Sequence, residues 1–123
     1  MKSVLVVDDE PVLRGLVAEV LRDEGYAVAE AGDGGALLDR LEDERPDLVL
    51  LDVMMPGIDG RQAYLVIRSR DDLPQVPVVM MSAAVNPKQL DPSIAAFLPK
   101  PFDLDRLLAL VEELIGPAAD GTG

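Results

Sequence analysis

Short apolar runs alternate along the chain with longer stretches in which apolar residues recur every three or four positions. Val4–Val7 is a mostly β-branched run that stops at Asp8, the pattern of a buried strand. Pro11 then opens a segment in which Val12, Leu13, Leu16, Val17, Val20 and Leu21 form one helical stripe, with Gly25 just past its end. Proline in the first turn and glycine beyond the last are the start and stop signals of a helix. Tyr26–Ala31 predicts a weaker second strand. Asp33 suits the cap of a second helix running to about Asp43, with Leu37, Leu38 and Leu41 inward. A third strand over Asp47–Asp52 is built on Leu48, Val49, Leu50 and Leu51, and Met55-Pro56-Gly57 after it has the composition of a turn. Asp59 caps a third helix from about Gly60 to Arg70, and Val76–Ser82 is the fourth strand. Ala96–Leu98 is a short fifth strand. Asp103 starts a last helix whose stripe is Leu104, Leu107, Leu108, Val111, Leu114 and Ile115, and Gly116-Pro117 ends it. Residues 1–117 thus form one domain, and Ala118–Gly123 is expected to be a flexible tail.

Strands this apolar, separated by helices, imply an α/β fold with a parallel sheet covered on both faces. Right-handed crossovers bring the carboxyl ends of all its strands to one edge, where such sheets bind ligands. Polar residues interrupt the apolar runs at those ends. Strand one ends in Asp8-Asp9-Glu10, strand three in Asp52, strand four in Ser82 and strand five in Lys100-Pro101-Phe102. An acidic cluster, a hydroxyl and one of only three lysines are therefore expected at one edge.

Composition narrows the chemistry. The chain has no Cys and no His, which excludes disulfides, thiolate or imidazole metal sites, and Ser-His-Asp or Cys nucleophilic machinery. Eleven basic residues against 23 acidic ones give a formal charge of −12, which disfavours direct binding of nucleic acid or an anionic membrane surface. The same balance suits a divalent cation or a basic partner. No apolar stretch reaches the roughly 18 residues of a membrane span, and no signal-peptide core follows Met1, so a cytoplasmic location is expected.

Asp8-Asp9, Asp52 in Leu-Asp-Val-Met-Met-Pro-Gly-Ile-Asp-Gly, Ser82-Ala83-Ala84 and Lys100-Pro101-Phe102 together closely resemble the receiver domain of two-component response regulators. The resemblance spans about residues 2–116, with the polar positions in order and each at a strand end. It implies a flavodoxin-like, doubly wound five-stranded sheet of order 2-1-3-4-5. It also implies that Asp52 is the phosphoacceptor. Asp9, Asp52 and the carbonyl of Met54 would bind Mg²⁺, for which Mn²⁺ may substitute, with Asp8 acting mainly through bound water. Lys100, Ser82 and the main-chain N–H groups of Met54 and Ala83 would receive the phosphoryl oxygens. Ser82 and Phe97 would form the switch, and the Lys100-Pro101 peptide would be cis. The donor would be a sensor histidine kinase or a phosphotransfer protein, and a downstream partner would read the state. Catalysis would be limited to the domain's own phosphorylation and slow dephosphorylation, so it would not be an enzyme in the turnover sense.

The physics of the cluster agrees. Two carboxylates about 4 Å apart repel by about 4 kcal/mol at an effective dielectric of 20, and three together demand a cation. Oxygen ligands without His or Cys select a hard ion. An alternative function is a non-cycling docking scaffold with the same fold. A phosphohydrolase would usually carry a second Asp two residues after the nucleophile, where this chain has Met54. A nucleotide-binding domain would need a Gly-rich loop where Asp8-Asp9-Glu10-Pro11 stands.

One departure from the family is plain. Ser82 and Lys100 are only 18 positions apart, about one helical turn short, and Pro87 and Pro92 lie between them. A short or irregular fourth helix is expected between Asn86 and Ala95, with one turn over Pro87–Leu90 or Pro92–Ala95. The face that usually reports phosphorylation would be altered, leaving a monomer or a weak dimer and turning partners toward the first or the last helix.

Overall fold

A computed structural model describes residues 1–118 apart from Pro74. Five strands, β1 (Ser3–Val7), β2 (Ala27–Ala31), β3 (Leu48–Asp52), β4 (Val78–Ser82) and β5 (Ala96–Pro99), form one parallel sheet in the order β2-β1-β3-β4-β5. Four helices connect and flank them: α1 (Pro11–Asp23), α2 (Gly34–Asp43), α3 (Gly60–Ser69) and α4 (Leu104–Ile115). Strand order reverses between β1 and β3, so that a crevice opens at their carboxyl ends.

The two faces of the sheet carry two cores. Leu5, Val7, Val49, Leu51, Val78 and Met80 point to the side of α2 and α3, and Val4, Val6, Leu48, Leu50, Val79 and Met81 to the side of α1 and α4. Because side chains alternate along a strand, double coverage requires every position of the central strands to be apolar. That is why β3 and β4 are buried at all five positions.

Local signals explain the helix ends. Asp33 accepts the Ala36 N–H at 2.8 Å, and Asp59 with Gln62 makes a reciprocal capping box at 2.9 and 3.0 Å. Gly25 and Gly116 close α1 and α4 with φ of 99° and 83°, a region that other residues enter at a cost.

Four expectations need correction. The apolar stripe of α1 is wider than the sheet can cover: Val17, Ala18 and Leu21 are buried, whereas Val12 is 85% and Leu16 44% exposed. Strand β4 starts at Val78 and not Val76, because Pro77 has no N–H for the ladder and serves only as acceptor for Val49 N–H. Tyr26 lies before β2; its N–H bonds to Leu21 at the end of α1, and its hydroxyl donates to the Gly116 carbonyl at 2.8 Å. Ala118, expected to head the flexible tail, is buried, and its carbonyl accepts the Lys2 N–H at 2.9 Å. Residues 119–123 of that tail lie outside the described residues.

The connection from β4 to β5 contains only a 3₁₀ turn over Pro87–Gln89, where the Asn86 side chain accepts from Lys88 N–H. The remainder is an ordered loop. Tyr64 of α3 shares a 2.8 Å hydrogen bond with Ser93, whose own hydroxyl also bonds Asp91, and Arg68 donates to the Tyr64 hydroxyl at 2.8 Å. Leu90, Val85 and Ile94 pack into the core on the α2–α3 side of the sheet, which also holds Met80 and Phe97. No helix among the described residues is long and apolar enough to cross a membrane.

Candidate phosphoacceptor site

Register assembles the site. Val7 pairs with Leu51, so Asp8 and Asp52 leave β1 and β3 at the same level. Asp52 pairs with Met81 and Ser82 with Pro99, which puts Ser82 and then Lys100 at successive steps of the same edge. Asp8, Asp52 and Ser82 are 1%, 3% and 2% exposed, the buried polar side chains among the described residues. Three buried polar groups side by side at one sheet edge are costly unless partnered.

Lys100 is the principal partner. Its Nζ donates to Asp8 Oδ2 at 2.8 Å and lies 3.6 Å from both Asp52 Oδ1 and Glu10 Oε1. Asp8 Oδ1 accepts the Glu10 N–H at 2.9 Å. Burial works against the Lys100 ammonium, but the hydrogen bond to Asp8 and the charges of Asp52, Asp8 and Glu10 prevail and hold its pKa above the ordinary value. Asp52 is pushed up to about 6, first by burial and then by the Asp8 charge, while Lys100 and the N–H of Met54 pull it down. A carboxylate so perturbed in a cleft, with a cation at hand, is the environment of a reacting group.

The Ser82 hydroxyl accepts the N–H groups of Ala84 and Val85 at 3.1 and 3.2 Å, which folds the loop after β4 over the edge. Asp52, Met54, Ser82, Ala83, Lys100 and Glu10 line a cleft of about 310 Å³. The Lys100–Pro101 peptide is cis. Phe97 pairs with Met80 across the β4–β5 ladder and is partly buried against the core on the α3 side.

Carboxylate oxygens of Asp8, Asp9 and Glu10 lie within 4.8 Å of one another. Asp9 is exposed and makes no ion pair among the described residues. An all-oxygen, net-acidic donor set with one free carboxylate fits Mg²⁺, which keeps several waters and takes one or two carboxylates. Glu10 is closer to this centre than the sequence suggests; Asp52 lies outside that trio but stands beside Asp8 by strand register and shares Lys100 with it.

Three residues escaped sequence reasoning. Gly60 brings the amino end of α3 onto the end of β3: a Cβ there would stand 2.4 Å from the Asp52 carbonyl oxygen, and the Gly60 N–H bonds to the Val53 carbonyl at 2.8 Å. Arg14 and Glu30 form an ion pair behind Asp8, with Arg14 Nη1 donating to the Asp8 carbonyl at 2.9 Å. Only the Gly after an Asp cap gave a signal for Gly60; a single charge on a helix and on an edge strand gave none.

Comparison with known proteins agrees with this geometry. Residues 4–112 match the response regulator receiver domain, and the chain belongs to that family. It is 37% identical over 122 residues to the nitrogen assimilation regulatory protein NtrX of Azorhizobium caulinodans, covering 92% of this chain and 26% of that one. The chain spans about half or less of the length of such curated relatives. Its fold matches the chemotaxis protein CheY4 of Vibrio cholerae with a TM-score of 0.85, 30% identity and coverage of 93% and 98% of the two chains. It also matches the receiver domain of the sensor histidine kinase PA1611 of Pseudomonas aeruginosa, a structure with a magnesium ion coordinated in its active-site cleft. That match has a TM-score of 0.81, 30% identity and coverage of 94% and 98%.

Proposed function

We propose that the chain is a phosphoacceptor receiver that takes a phosphoryl group on Asp52 from a phosphohistidine of a sensor kinase or phosphotransfer protein. The observation that carries this is the Asp52 carboxylate, buried in a cleft, 3.6 Å from Lys100 and beside the Asp8–Glu10 acidic cluster. An Asp52 oxygen attacks phosphorus, a P–O bond forms, the donor's P–N bond breaks, and its electron pair returns to the imidazole nitrogen. Positioning and charge neutralisation supply most of the catalysis that such a transfer needs.

Asp9, Asp52 and the Met54 carbonyl would hold Mg²⁺, with Asp8 and Glu10 close by. When bound, the ion neutralises charge on the transferring group. Lys100 neutralises another side. The Ser82 hydroxyl and the N–H groups of Met54 and Ala83 receive the remaining oxygens, and Ser82 must leave its bonds to Ala84 and Val85 to do so. Phe97 is free of any hydroxyl that could bond elsewhere, and it follows the loop by packing alone.

The domain turns over no external substrate; its chemistry begins and ends on its own Asp52. A cytoplasmic location follows from the donor. A cleft of about 470 Å³ lined by Glu10, Leu13, Leu16, Lys100, Phe102 and Leu104, with Val12 exposed on the same helix, gives a protein donor an apolar approach beside the nucleophile. The short β4–β5 connection removes the full helix through which a symmetric dimer would form, which favours a monomer. Incubation with acetyl phosphate and Mg²⁺, followed by intact-mass analysis, tests the proposal. A gain of one phosphoryl group, absent in EDTA, is expected; no gain would leave the docking scaffold as the better account.

A further inference from the structure

We infer that Arg14 is a positioning residue for the metal-binding turn, acting through the Asp8–Asp9 peptide. The inference rests on the metal-dependent function proposed above. Arg14 lies on α1, and its side chain is one-quarter exposed. Its guanidinium makes two contacts with different parts of the fold. Nη1 donates to the Asp8 carbonyl at 2.9 Å, and Nε donates to Glu30 Oε1 of β2 at 3.3 Å. Glu30 is in turn held by Arg22 at 3.5 Å. The niche is fitted to the guanidinium: a Cβ at Gly32 would stand 3.1 Å from Nη1.

The Asp8 backbone and side chain are held on several sides. Its N–H bonds to Ala31, its carboxylate takes Lys100 and Glu10 N–H, and its carbonyl takes Arg14. The carbonyl bond fixes the plane of the peptide that leads into Asp9. Asp9 itself is exposed, without an ion pair among the described residues, so the direction in which its carboxylate leaves the chain is set by that peptide plane. The guanidinium fork, which can hold two acceptors in a fixed geometry, is suited to this task in a way that a lysine ammonium is not.

Charge and position predict opposite signs, which makes the inference decidable. Arg14 is a cation near an acidic cluster. If it mattered only by charge, its removal would strengthen Mg²⁺ binding. As a positioning residue, its removal weakens binding, by about tenfold for a contact behind a metal ligand.

Isothermal titration of the full chain with Mg²⁺ would measure this for wild type, Arg14→Met, Arg14→Lys and Asp9→Ala. Thermal unfolding in EDTA would verify that each variant folds. We expect Arg14→Met and Arg14→Lys both to bind Mg²⁺ about tenfold more weakly than wild type. If Arg14→Met does not fold, Arg14→Lys alone decides, since it keeps the charge and loses the fork. Binding by Arg14→Lys equal to wild type, or tighter binding by Arg14→Met, would overturn the inference while leaving the site intact. A wild type that binds no Mg²⁺, or an Asp9→Ala variant that binds it unchanged, would instead overturn the metal site itself and the inference with it.

Discussion

The acidic edge of β1 and β3 and the segment joining β4 to β5 are held by different forces, and the contrast explains which parts of this receiver are fixed. At the acidic edge, strand register places Asp8 and Asp52 beside each other whatever their charges prefer. Lys100 then answers a geometry that the sheet has already imposed. In the 86–95 segment no ladder dictates position. Two prolines exclude a regular helix, and the loop is held by local side-chain bonds from Tyr64, Ser93 and Asp91. A site built on strand ends is stiff and electrostatically strained. A connection held by a few side-chain bonds, most of them part-buried, is replaceable and weak.

The largest effect should come from the cation that bridges the two buried carboxylates of the stiff region. Lys100→Met leaves Asp8 and Asp52 buried and adjacent without their partner, and should cost about 2–4 kcal/mol of stability in EDTA. Chemical denaturation would measure it, and added Mg²⁺ should recover part of the loss. A variant as stable as wild type without metal would mean that the edge is far more hydrated than its burial implies.

Next in size is the division of labour within the acidic cluster. Asp9→Ala should weaken Mg²⁺ binding by about tenfold and more than Glu10→Ala does, since Glu10 already faces Lys100 at 3.6 Å. Calorimetric titration of the two variants would reverse the assignment if Glu10→Ala lost more.

A pH-dependent effect follows from the strain on Asp52. Its carboxyl titrates at about 6 in the folded, metal-free protein, against about 3.9 in an unfolded chain. Between those values the native state keeps a proton that the unfolded chain has lost. The stability this contributes is fully present below about pH 4 and is lost as pH rises through 6. In EDTA at pH 7, Asp52→Asn should therefore be more stable than wild type by about 2–3 kcal/mol, and the gap should close by pH 4. A gap independent of pH would assign the difference to packing.

The smallest effect belongs to the weak region. Tyr64→Phe removes the hydroxyl shared with Ser93 and Arg68 and should cost about 1 kcal/mol. Hydrogen exchange should rise in residues 86–95 and stay unchanged at Asp8 and Asp52. Faster exchange at both would merge the two regions into one cooperative unit.

The same contrast decides what the sequence disclosed. The apolar runs and the polar residue ending each one made the edge legible, because strand period and parallel order leave Asp8, Asp52, Ser82 and Lys100 nowhere else to go. The irregular connection was legible too, since Pro87 and Pro92 act locally. Packing between elements was not. Val12 and Leu16 have the period of a core stripe and yet face outward, because only one arc of α1 meets the sheet and Val17, Ala18 and Leu21 occupy it. Arg14 was missed for the same reason: its partners Asp8 and Glu30 lie on two different strands, and no spacing along the chain links the three.

Chemical location of the phosphoryl group is the sharpest test of Asp52 as the phosphoacceptor. Protein labelled with acetyl phosphate and Mg²⁺ would be reduced with borohydride, which converts an aspartyl phosphate to homoserine, and mapped by peptide mass spectrometry. Homoserine is expected at position 52 and none in Asp52→Asn. Reduction product at Asp8 or Asp9, or undiminished labelling of Asp52→Asn, would contradict it.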